Sequence, residues 1–382
     1  MSPPGTDSHV HTAKVIDVDG RPELKRAEVE GYKSIARCEV DLSRLSFLIG
    51  RNGAGKSNFL DALRFIHDAV NTNLQSAATA HGGIGSFLRL RSAMTSFHLT
   101  LDLGPSRGSY FLKLNSSDRK TFEVTREDVW VGNPESETSL VASDVEPRPQ
   151  RRTLALPAVA GANSDYGLLF EFLKSMRFYD FSLPALRELQ TPQEGELLRA
   201  DGSNLASVLA RLESVDNERY ERMQEYLRAI LPGLKRVRRE TTGPSEGIRF
   251  ELDSGTFWAR HMSTGTLLAL AVLVALFQPS DASGQNASLI TIEEPERALH
   301  PAAVGVLFDA MIEASHDRQV LVATQSPDLL DRRDVPAEFV LAVVGGSEGT
   351  QIGPIDPSAR KAMLDHLFTA GELVRLDQLV PE

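Results

Sequence analysis

Apolar and polar residues alternate with a clear period over several parts of the chain. At residues 24–31 and 35–42 the period is two, which predicts a hairpin of half-buried strands. An apolar run at 45–49 predicts a short buried strand. Behind it, apolar residues recur at helical spacing over 57–71 and predict an amphipathic helix. The same patterns predict strands at 97–103, 109–114, 121–126, 234–241, 247–252 and 255–259, and helices at 166–177 and 203–231.

The last third of the chain alternates between predicted strands and predicted helices. Residues 267–277 are all apolar, but eleven residues are too few to cross a bilayer, which needs about 20. The run therefore predicts a buried helix. Strand–helix alternation predicts a parallel α/β sheet, and the antiparallel strands before it make the predicted fold a mixed one. The predicted elements are helices at 264–277, 301–315 and 358–370, and strands at 288–292, 319–323 and 338–344.

Composition and charge narrow the classes of protein that remain. The chain has 382 residues, of which 41% are hydrophobic, and a formal net charge of −11. Such a chain is not attracted as a whole to nucleic acid or to an anionic membrane, so DNA binding requires a local basic patch. Cys38 is the only cysteine, so no internal disulfide forms. Residues 1–21 lack an apolar signal-peptide core, and we expect a cytoplasmic protein.

A glycine-rich loop carries the strongest chemical signal. Residues 50–57 are G-R-N-G-A-G-K-S, a phosphate-loop pattern between a predicted strand and a predicted helix. Backbone N–H groups and the positive end of the helix dipole favour phosphate there. Lys56 is placed to neutralise the β- and γ-phosphates of ATP, and Ser57 offers its hydroxyl to Mg²⁺. The alternative is a turn with a solvated lysine. The predicted nucleotide-binding residues of this segment are Asn52, Gly53, Ala54, Gly55, Lys56, Ser57 and Asn58.

Two adjacent carboxylates follow a predicted buried strand. Residues 288–296 are S-L-I-T-I-E-E-P-E, and consecutive strand residues point to opposite sides. Glu293 is therefore predicted to hold Mg²⁺, and Glu294 to face the γ-phosphate and orient the attacking water. An acidic cap at a strand end is the alternative explanation of this pair.

The order of the motifs resembles that of a known ATPase family, the SMC/RecF-like ATPases of the ABC superfamily. The resemblance covers about residues 24–344 and is strongest to the ATPase part of the overcoming-lysogenization-defect proteins. The phrase G-Y-K-S-I at 31–35 supports it. The ordered motifs are the phosphate loop at 50–57, S-T-G at 263–265, E-E-P-E at 293–296, A-L-H-P at 298–301 and V-L-V-A-T-Q-S-P at 320–327.

The resemblance implies a P-loop ATPase with an antiparallel β subdomain and an inserted helical lobe, which dimerises around Mg-ATP. In such a dimer, Ser263 and Gly265 of one subunit contact the γ-phosphate held by the phosphate loop of the other. Lys33 matches a loop that comes near the nucleotide, and an exposed turn lysine is the alternative. His300 lies in the segment at the dimer seam, but Pro301 behind it marks a helix start and favours a structural or interfacial role.

The sequence departs from the family pattern at two positions. Glu293 stands where the family has aspartate. Gln325 replaces the switch histidine, and its amide can donate a hydrogen bond to phosphate but cannot titrate near neutral pH. We therefore expect slow hydrolysis with nearly intact ATP binding, with Glu294, Lys56 and Gln325 as the catalytic set. The family's glutamine loop is not placed by the sequence, and Gln75 is one candidate.

The resemblance also divides the chain into regions. No long heptad run is present, and we expect too few residues after Gln325 for a nuclease domain. The predicted regions are a tail at 1–21, an N-terminal ATPase lobe at 22–130, a mobile insertion at 131–165, a helical lobe at 166–240, a C-terminal ATPase lobe at 241–345 and a C-terminal extension at 346–382.

Three functions remain open from the sequence. The first is an ATP-gated homodimer that acts on DNA, alone or with a nuclease or effector partner, in DNA repair or antiviral defence. The second is an ATP-binding regulatory scaffold with little turnover. The third is the nucleotide subunit of a membrane transporter. The short S-T-G motif and the strand-rich insertions disfavour this third function, and no membrane contact is expected. The candidate DNA patches are Lys235, Arg236, Arg238 and Arg239, or Arg148, Arg151 and Arg152.

Overall fold

The structure of the protein is a computed structural model. It describes residues 20–132 except 91, 105 and 117, residues 139–141, and residues 152–382 except 162, 163, 196 and 281–285. Most of the tail predicted at 1–21 and part of the insertion predicted at 131–165 lie outside the described residues, as do Arg148 and Arg151. The predicted division into regions stays a prediction.

The described residues form strands and helices in a mixed order. The strands are β1 (Glu23–Tyr32), β2 (Ile35–Asp41), β3 (Leu45–Ile49), β4 (Met94–Asp102), β5 (Arg107–Asn115), β6 (Glu123–Gly132), β7 (Ser139–Val141), β8 (Arg177–Tyr179), β9 (Leu234–Thr242), β10 (Ser245–Leu252), β11 (Gly255–Trp258), β12 (Leu289–Glu293), β13 (Gln319–Thr324), β14 (Val340–Gly346) and β15 (Gly349–Pro354). The helices are α1 (Lys56–Asn71), α2 (Leu74–Ala80), α3 (Ile84–Phe87), α4 (Leu156–Ala160), α5 (Ser164–Ser175), α6 (Leu183–Arg187), α7 (Leu205–Val215), α8 (Asn217–Ile230), α9 (Thr264–Phe277), α10 (Pro301–Ser315), α11 (Pro357–Leu364) and α12 (Ala370–Arg375).

A six-stranded sheet in the order β15-β14-β3-β13-β12-β8 organises the molecule. All neighbours in it are parallel except β14 and β15. Every residue of β3 and of β13 is buried, as expected for parallel strands covered on both faces. Because parallel strands end at one edge of a sheet, the segments after β3, β12 and β13 lie together there.

Two hydrophobic cores cover the two faces of this sheet. Phe47 of β3 faces a core built with α7, α8, α9 and α10, and the next residue, Leu48, faces a core built with α1 and α5. The second core is closed by an antiparallel sheet in the order β2-β1-β4-β5-β6-β7. A separate antiparallel sheet in the order β11-β10-β9 leads into α9. Within the described part of the chain, none of the helices combines the length and apolar character that crossing a membrane requires.

The structure confirms the predicted mixed α/β fold, and it corrects several predicted elements. The helix predicted at 358–370 is two helices, α11 and α12, with 365–369 between them. The helix predicted at 203–231 is interrupted at Asp216, whose carboxylate caps α8 by accepting from the N–H of Arg219. The strand β15 was not predicted because its sequence, G-T-Q-I-G-P, has little strand propensity and depends on pairing with β14.

Candidate functional site

Two side-chain contacts join the three segments at the edge of the central sheet. The Ser57 hydroxyl donates to Oε2 of Glu293 at 2.5 Å, which links the start of α1 to the end of β12. The Gln325 amide donates to Oε1 of Glu294 at 2.8 Å, which links the segment after β13 to the same turn. The structure therefore brings together four residues that the sequence singled out separately.

The phosphate loop has the backbone that its glycines permit. Gly53 and Gly55 have φ values of 76° and 111°, a backbone conformation that residues with a side chain rarely adopt. A Cβ on Gly55 would lie 2.0 Å from Oγ1 of Thr350, and a Cβ on Gly50 would lie 2.1 Å from the carbonyl oxygen of Val343. Strands β14 and β15 therefore pack directly against this loop, and glycine is required at both contacts.

Lys56 lies folded against its own loop. Its ammonium donates to the carbonyl oxygen of Gly50 at 2.6 Å and to that of Arg51 at 3.1 Å. Burial lowers the pKa of Lys56, and the carboxylates of Glu294 and Glu293 oppose this shift. The lysine thus sits between the loop and both carboxylates, where a bound phosphate would meet it.

The turn after β12 holds its carboxylates in different environments. Burial raises the pKa of Glu293, and the hydrogen bond from Ser57 opposes that effect. Glu294 has a left-handed backbone, with φ 46°, and its N–H donates to the carbonyl oxygen of Ala323 at 2.8 Å. Glu296 is buried and accepts a hydrogen bond from Thr324. The two adjacent glutamates therefore face different neighbours, as the strand pattern predicted.

A small cleft of about 250 Å³ borders the two glutamates. Asp180 and Phe181, from the segment after β8, line it together with Glu293, Glu294 and Arg297. The carboxylate of Asp180 adds to the raised pKa of Glu293. The sequence pattern did not indicate a role for Asp180 at the site.

Ser57 and Glu293 suit a hard cation that shares its ligands with phosphate. A hydroxyl and a carboxylate at hydrogen-bond distance are oxygen donors, and Mg²⁺ in nucleotide sites commonly uses one or two carboxylates plus phosphate oxygens. Among the described residues, no group of three or more His, Cys, Asp or Glu side chains could hold a metal ion by itself. The donor set therefore fits Mg²⁺ bound together with a nucleotide.

The S-T-G segment begins α9. Ser263 is exposed and caps this helix, since its hydroxyl oxygen accepts from the N–H of Thr266 at 3.1 Å. A Cβ on Gly265 would lie 2.3 Å from the carbonyl oxygen of Ala298, so the start of α9 packs on the turn that follows the glutamates. Neither Ser263 nor Gly265 is among the described residues that line the cleft beside the phosphate loop of the same chain.

Lys33 takes part in a partly buried charge network. Its ammonium pairs with Oδ2 of Asp61 at 2.5 Å, and the Tyr32 hydroxyl donates to the same oxygen at 2.6 Å. His81 lies between Asp61 and Asp68, 3.0 Å from each. Lys33 is not among the described residues that line the phosphate-loop cleft, whereas its neighbour Ser34 is.

The remaining sequence candidates fall in different places. Asn58 donates to the hydroxyl of Ser34 at 2.6 Å, beside the phosphate loop. Gln75 is exposed on α2 and is absent from the described lining of the cleft. His300 caps α10 through Nδ1, which accepts from the N–H of Ala302 at 3.2 Å, so it has a structural role in this chain.

The cleft beside the phosphate loop has a volume of about 880 Å³ and is lined in part by residues that the sequence did not indicate. The guanidinium of Arg89 donates to the carbonyl oxygens of Ser34 at 2.7 Å and Glu348 at 2.9 Å. Oγ1 of Thr350 lies 2.7 Å from the hydroxyl of Ser34. Because β15 was not predicted, nothing in the sequence pattern could place Thr350 here.

The basic cluster on β9 is neutralised within the chain. Each of its four cations has a carboxylate beside it, so the cluster carries little net positive charge. The pairs are Lys235 with Asp253, Arg236 with Glu213, Arg238 with Glu251 and Arg239 with Glu246. A solvated face of mixed charge therefore describes this cluster better than a DNA-binding patch.

Family comparison decides the class of this site. Residues 45–331 match the family described as "AAA domain, putative AbiEii toxin, Type IV TA system". The chain belongs to this family. The matched range includes the phosphate loop, the S-T-G segment, both glutamates and Gln325. Membership of this AAA-domain family confirms the prediction of an ATPase-family protein with a nucleotide-binding P-loop.

Curated relatives of this AAA-domain protein include a nuclease and a chromosome partition protein. The OLD nuclease of Thermus scotoductus is 23% identical over 332 residues, which are 81% of this chain and 60% of that protein. The chromosome partition protein Smc of Bacillus subtilis is 39% identical over 88 residues, which are 21% of this chain and 7% of that protein. The chain therefore spans 60% or less of the length of these relatives.

Solved SMC heads share the fold. A structure of the SmcHead bound to the C-winged helix domain of ScpA has a TM-score of 0.55 at 13% identity, covering 88% of this chain and 99% of that one. An Smc head domain from Pyrococcus furiosus, bound to the C-terminal domain of ScpA, has a TM-score of 0.50 at 14% identity, covering 91% and 99%. These likenesses confirm the predicted SMC-head type of fold.

Proposed function

We propose that the protein binds Mg-ATP at the edge of the central sheet and hydrolyses it slowly. The observation that supports this most directly is the pair of contacts Ser57–Glu293 at 2.5 Å and Gln325–Glu294 at 2.8 Å. They support the proposal because Ser57 with Glu293, and Gln325 with Glu294, lie at the same edge of the sheet as the loop that carries Lys56.

Each group has a role that its chemistry allows. The phosphate-loop N–H groups and Lys56 bind the β- and γ-phosphates. Ser57 and Glu293 hold Mg²⁺, which neutralises phosphate charge when bound. Glu294 orients the attacking water and accepts its proton, and Gln325 donates to the γ-phosphate. Asn52, Gly53, Ala54 and Asn58 complete the loop around the nucleotide.

The working unit in this proposal is a homodimer closed by ATP. Ser263 is exposed at the N-terminus of a fourteen-residue helix, which carries partial positive charge and free N–H donors. Since the described lining of the chain's own cleft lacks Ser263, we assign its phosphate contact to the partner's nucleotide. Two identical surfaces then meet around two ATP molecules, as two-fold symmetry requires.

We further propose that ATP turnover controls a nuclease or effector partner, or DNA held by one. The similarity to an OLD nuclease, of which this chain spans 60%, supports a nuclease partner in DNA repair or antiviral defence. The paired charges on β9 favour action through a partner over direct DNA binding by that cluster.

A regulatory scaffold with little turnover is the second candidate. The Gln325 amide occupies Oε1 of Glu294, the residue proposed to act on water, and glutamine cannot exchange a proton there. In this version ATP binding closes the dimer, and opening depends on slow exchange of the nucleotide.

The deciding experiment compares ATP consumption and oligomeric state in wild type, Glu294→Gln and Lys56→Ala. We expect slow turnover in wild type, at least a tenfold loss in Glu294→Gln with ATP-dependent dimers by light scattering, and loss of both in Lys56→Ala. Glu338→Gln, an exposed carboxylate away from the site, is the control. Equal and negligible rates in wild type and Glu294→Gln, with intact dimers, would establish the scaffold instead.

A further inference from the structure

The C-terminal segment, residues 369–382, is held by contacts with residues 328 and 331, which follow Gln325 in the chain. Arg375 of α12 pairs with Asp328 at 2.7 Å and with Asp331 at 2.6 Å. The Thr369 hydroxyl donates to the other oxygen of Asp331 at 2.8 Å. These contacts fix α12 to residues 328–331, which follow Gln325 in the chain. The family match ends at residue 331, so this segment lies outside the part of the chain that the family describes.

From α12 the segment continues to the phosphate loop. The chain turns at Asp377, which has a left-handed backbone with φ 57°. Its carboxylate pairs with Nη2 of Arg51 at 2.8 Å. Arg51 is the second residue of the phosphate loop, and both residues line the 880 Å³ cleft. A carboxylate from the C-terminal segment thus contacts the phosphate loop, to which the proposed function assigns the triphosphate.

Both cationic side chains of the phosphate loop therefore have acceptors from the chain itself. Lys56 donates to two loop carbonyls, and Arg51 pairs with Asp377. The side chains of Arg51 and Asp377 are 80% and 65% exposed, and ion pairs in such surroundings are weak and easily exchanged. A polyphosphate carries several negative charges, so it competes for Arg51 and repels the carboxylate.

We propose that Arg51 is a further phosphate-binding residue of the site and that Asp377 holds it until nucleotide arrives. Binding of the triphosphate transfers the guanidinium from the carboxylate to a phosphate oxygen. Asp377 then loses its contact with the loop, while Arg375 keeps α12 anchored and the backbone N–H of Glu382 stays hydrogen-bonded to β15. This inference rests on the proposed ATP binding. It adds Arg51 as a residue that binds phosphate and Asp377 as a carboxylate that competes with phosphate for Arg51.

The test is a double-mutant cycle on ATP affinity at low salt. Asp377→Asn frees Arg51 and removes a repulsive charge, so we expect ATP to bind about two- to fivefold more tightly. Arg51→Gln should weaken ATP binding. Adding Asp377→Asn to that variant should raise ATP affinity little, because no guanidinium is left for Asp377 to pair with. Asp365→Asn, which removes one exposed charge from the same end of the chain, leaves affinity unchanged. The gain shrinks at high salt.

Two results would overturn this inference. One is an unchanged ATP affinity in Asp377→Asn, and the other is an equal gain in the Arg51→Gln background. If wild type fails to bind ATP, the proposed function fails as well. Binding that is lost only in Lys56→Ala, with no effect of Asp377→Asn, removes this inference alone.

Discussion

The amide of Gln325 donates to the carboxylate of Glu294 at 2.8 Å, so the residue that replaces the family's switch histidine contacts the proposed base directly. A glutamine holds this carboxylate without exchanging a proton.

Gln325→His should therefore raise the rate of ATP hydrolysis about tenfold, since an imidazole can also move a proton. The variant should gain a pH dependence near the histidine pKa of about 6.5 that wild type lacks. The measurement is steady-state ATPase rate from pH 5.5 to 8.5. Gln325→Asn serves as the control, and a wild-type rate in Gln325→His at every pH would contradict the prediction.

Glu293 should determine the response to Mg²⁺. In Glu293→Gln we expect the gain in ATP affinity on adding Mg²⁺ to fall about tenfold, because one charged oxygen ligand is lost while size and hydrogen bonding stay similar. Glu293→Asp restores the charge, and it should recover most of the effect. Nucleotide titration with Mg²⁺ and with chelator checks this. A full Mg²⁺ effect in Glu293→Gln would exclude this residue as a ligand.

The two loop glycines should differ in what they tolerate. Gly53→Ala meets no atom within 4 Å and should cost only the left-handed strain of about 1–2 kcal/mol. Gly55→Ala places its Cβ 2.0 Å from Oγ1 of Thr350, so it should lower the free energy of unfolding by about 2 kcal/mol more. Urea unfolding of both variants provides the comparison. Thr350→Ala should rescue part of the loss in Gly55→Ala and none of it in Gly53→Ala.

His81 should make stability depend on pH. Burial lowers its pKa, but hydrogen bonds to Asp61 and Asp68 outweigh burial and raise the pKa to about 9. The folded pKa exceeds the ordinary value of 6.5, so this stabilisation is complete below pH 6.5 and is lost as the pH rises through 9. His81→Gln should remove up to about 3 kcal/mol at pH 6 and much less at pH 9.5.

Urea unfolding at both pH values measures this difference between His81→Gln and wild type. His316→Gln, an exposed histidine at the end of α10, is the matched control and should change stability little. A loss of equal size at pH 6 and pH 9.5 would mean that the charge of His81 is not what stabilises the fold.

The sequence was most informative where a local pattern decides the structure. The run from Gly265 to Phe277 is buried throughout, as its apolar composition predicted, and β3 has the predicted bounds. The sequence also assigned Ser57 and Glu293 to one metal site, and the two side chains lie together because α1 follows β3 at the edge of the sheet where β12 ends; their metal role stays a prediction. These features depend on neighbours in the chain or on a general rule of sheet geometry.

Contacts between distant segments could not be predicted in this way. Thr350 reaches the phosphate loop only because β15 pairs with β14, and the Asp377 contact depends on how α12 docks. Asp61 is separated from His81 by twenty residues of the chain, and only the packing of α1 against α2 brings them together. In each case the contact depends on tertiary packing, and the local sequence pattern indicates it weakly or not at all.

The contact between Gly265 and Ala298 has a consequence for a paired molecule. Ala298 is four residues from Glu294, and Gly265 is two residues from Ser263, so one close contact joins the glutamate proposed to orient water to the surface proposed to face the other subunit. A shift of the glutamate at one nucleotide would be passed to the helix end touching the second nucleotide. The two active sites of the proposed dimer would then hydrolyse ATP in a correlated order. A heterodimer with one Glu294→Gln subunit should therefore hydrolyse ATP at well below half the normal rate.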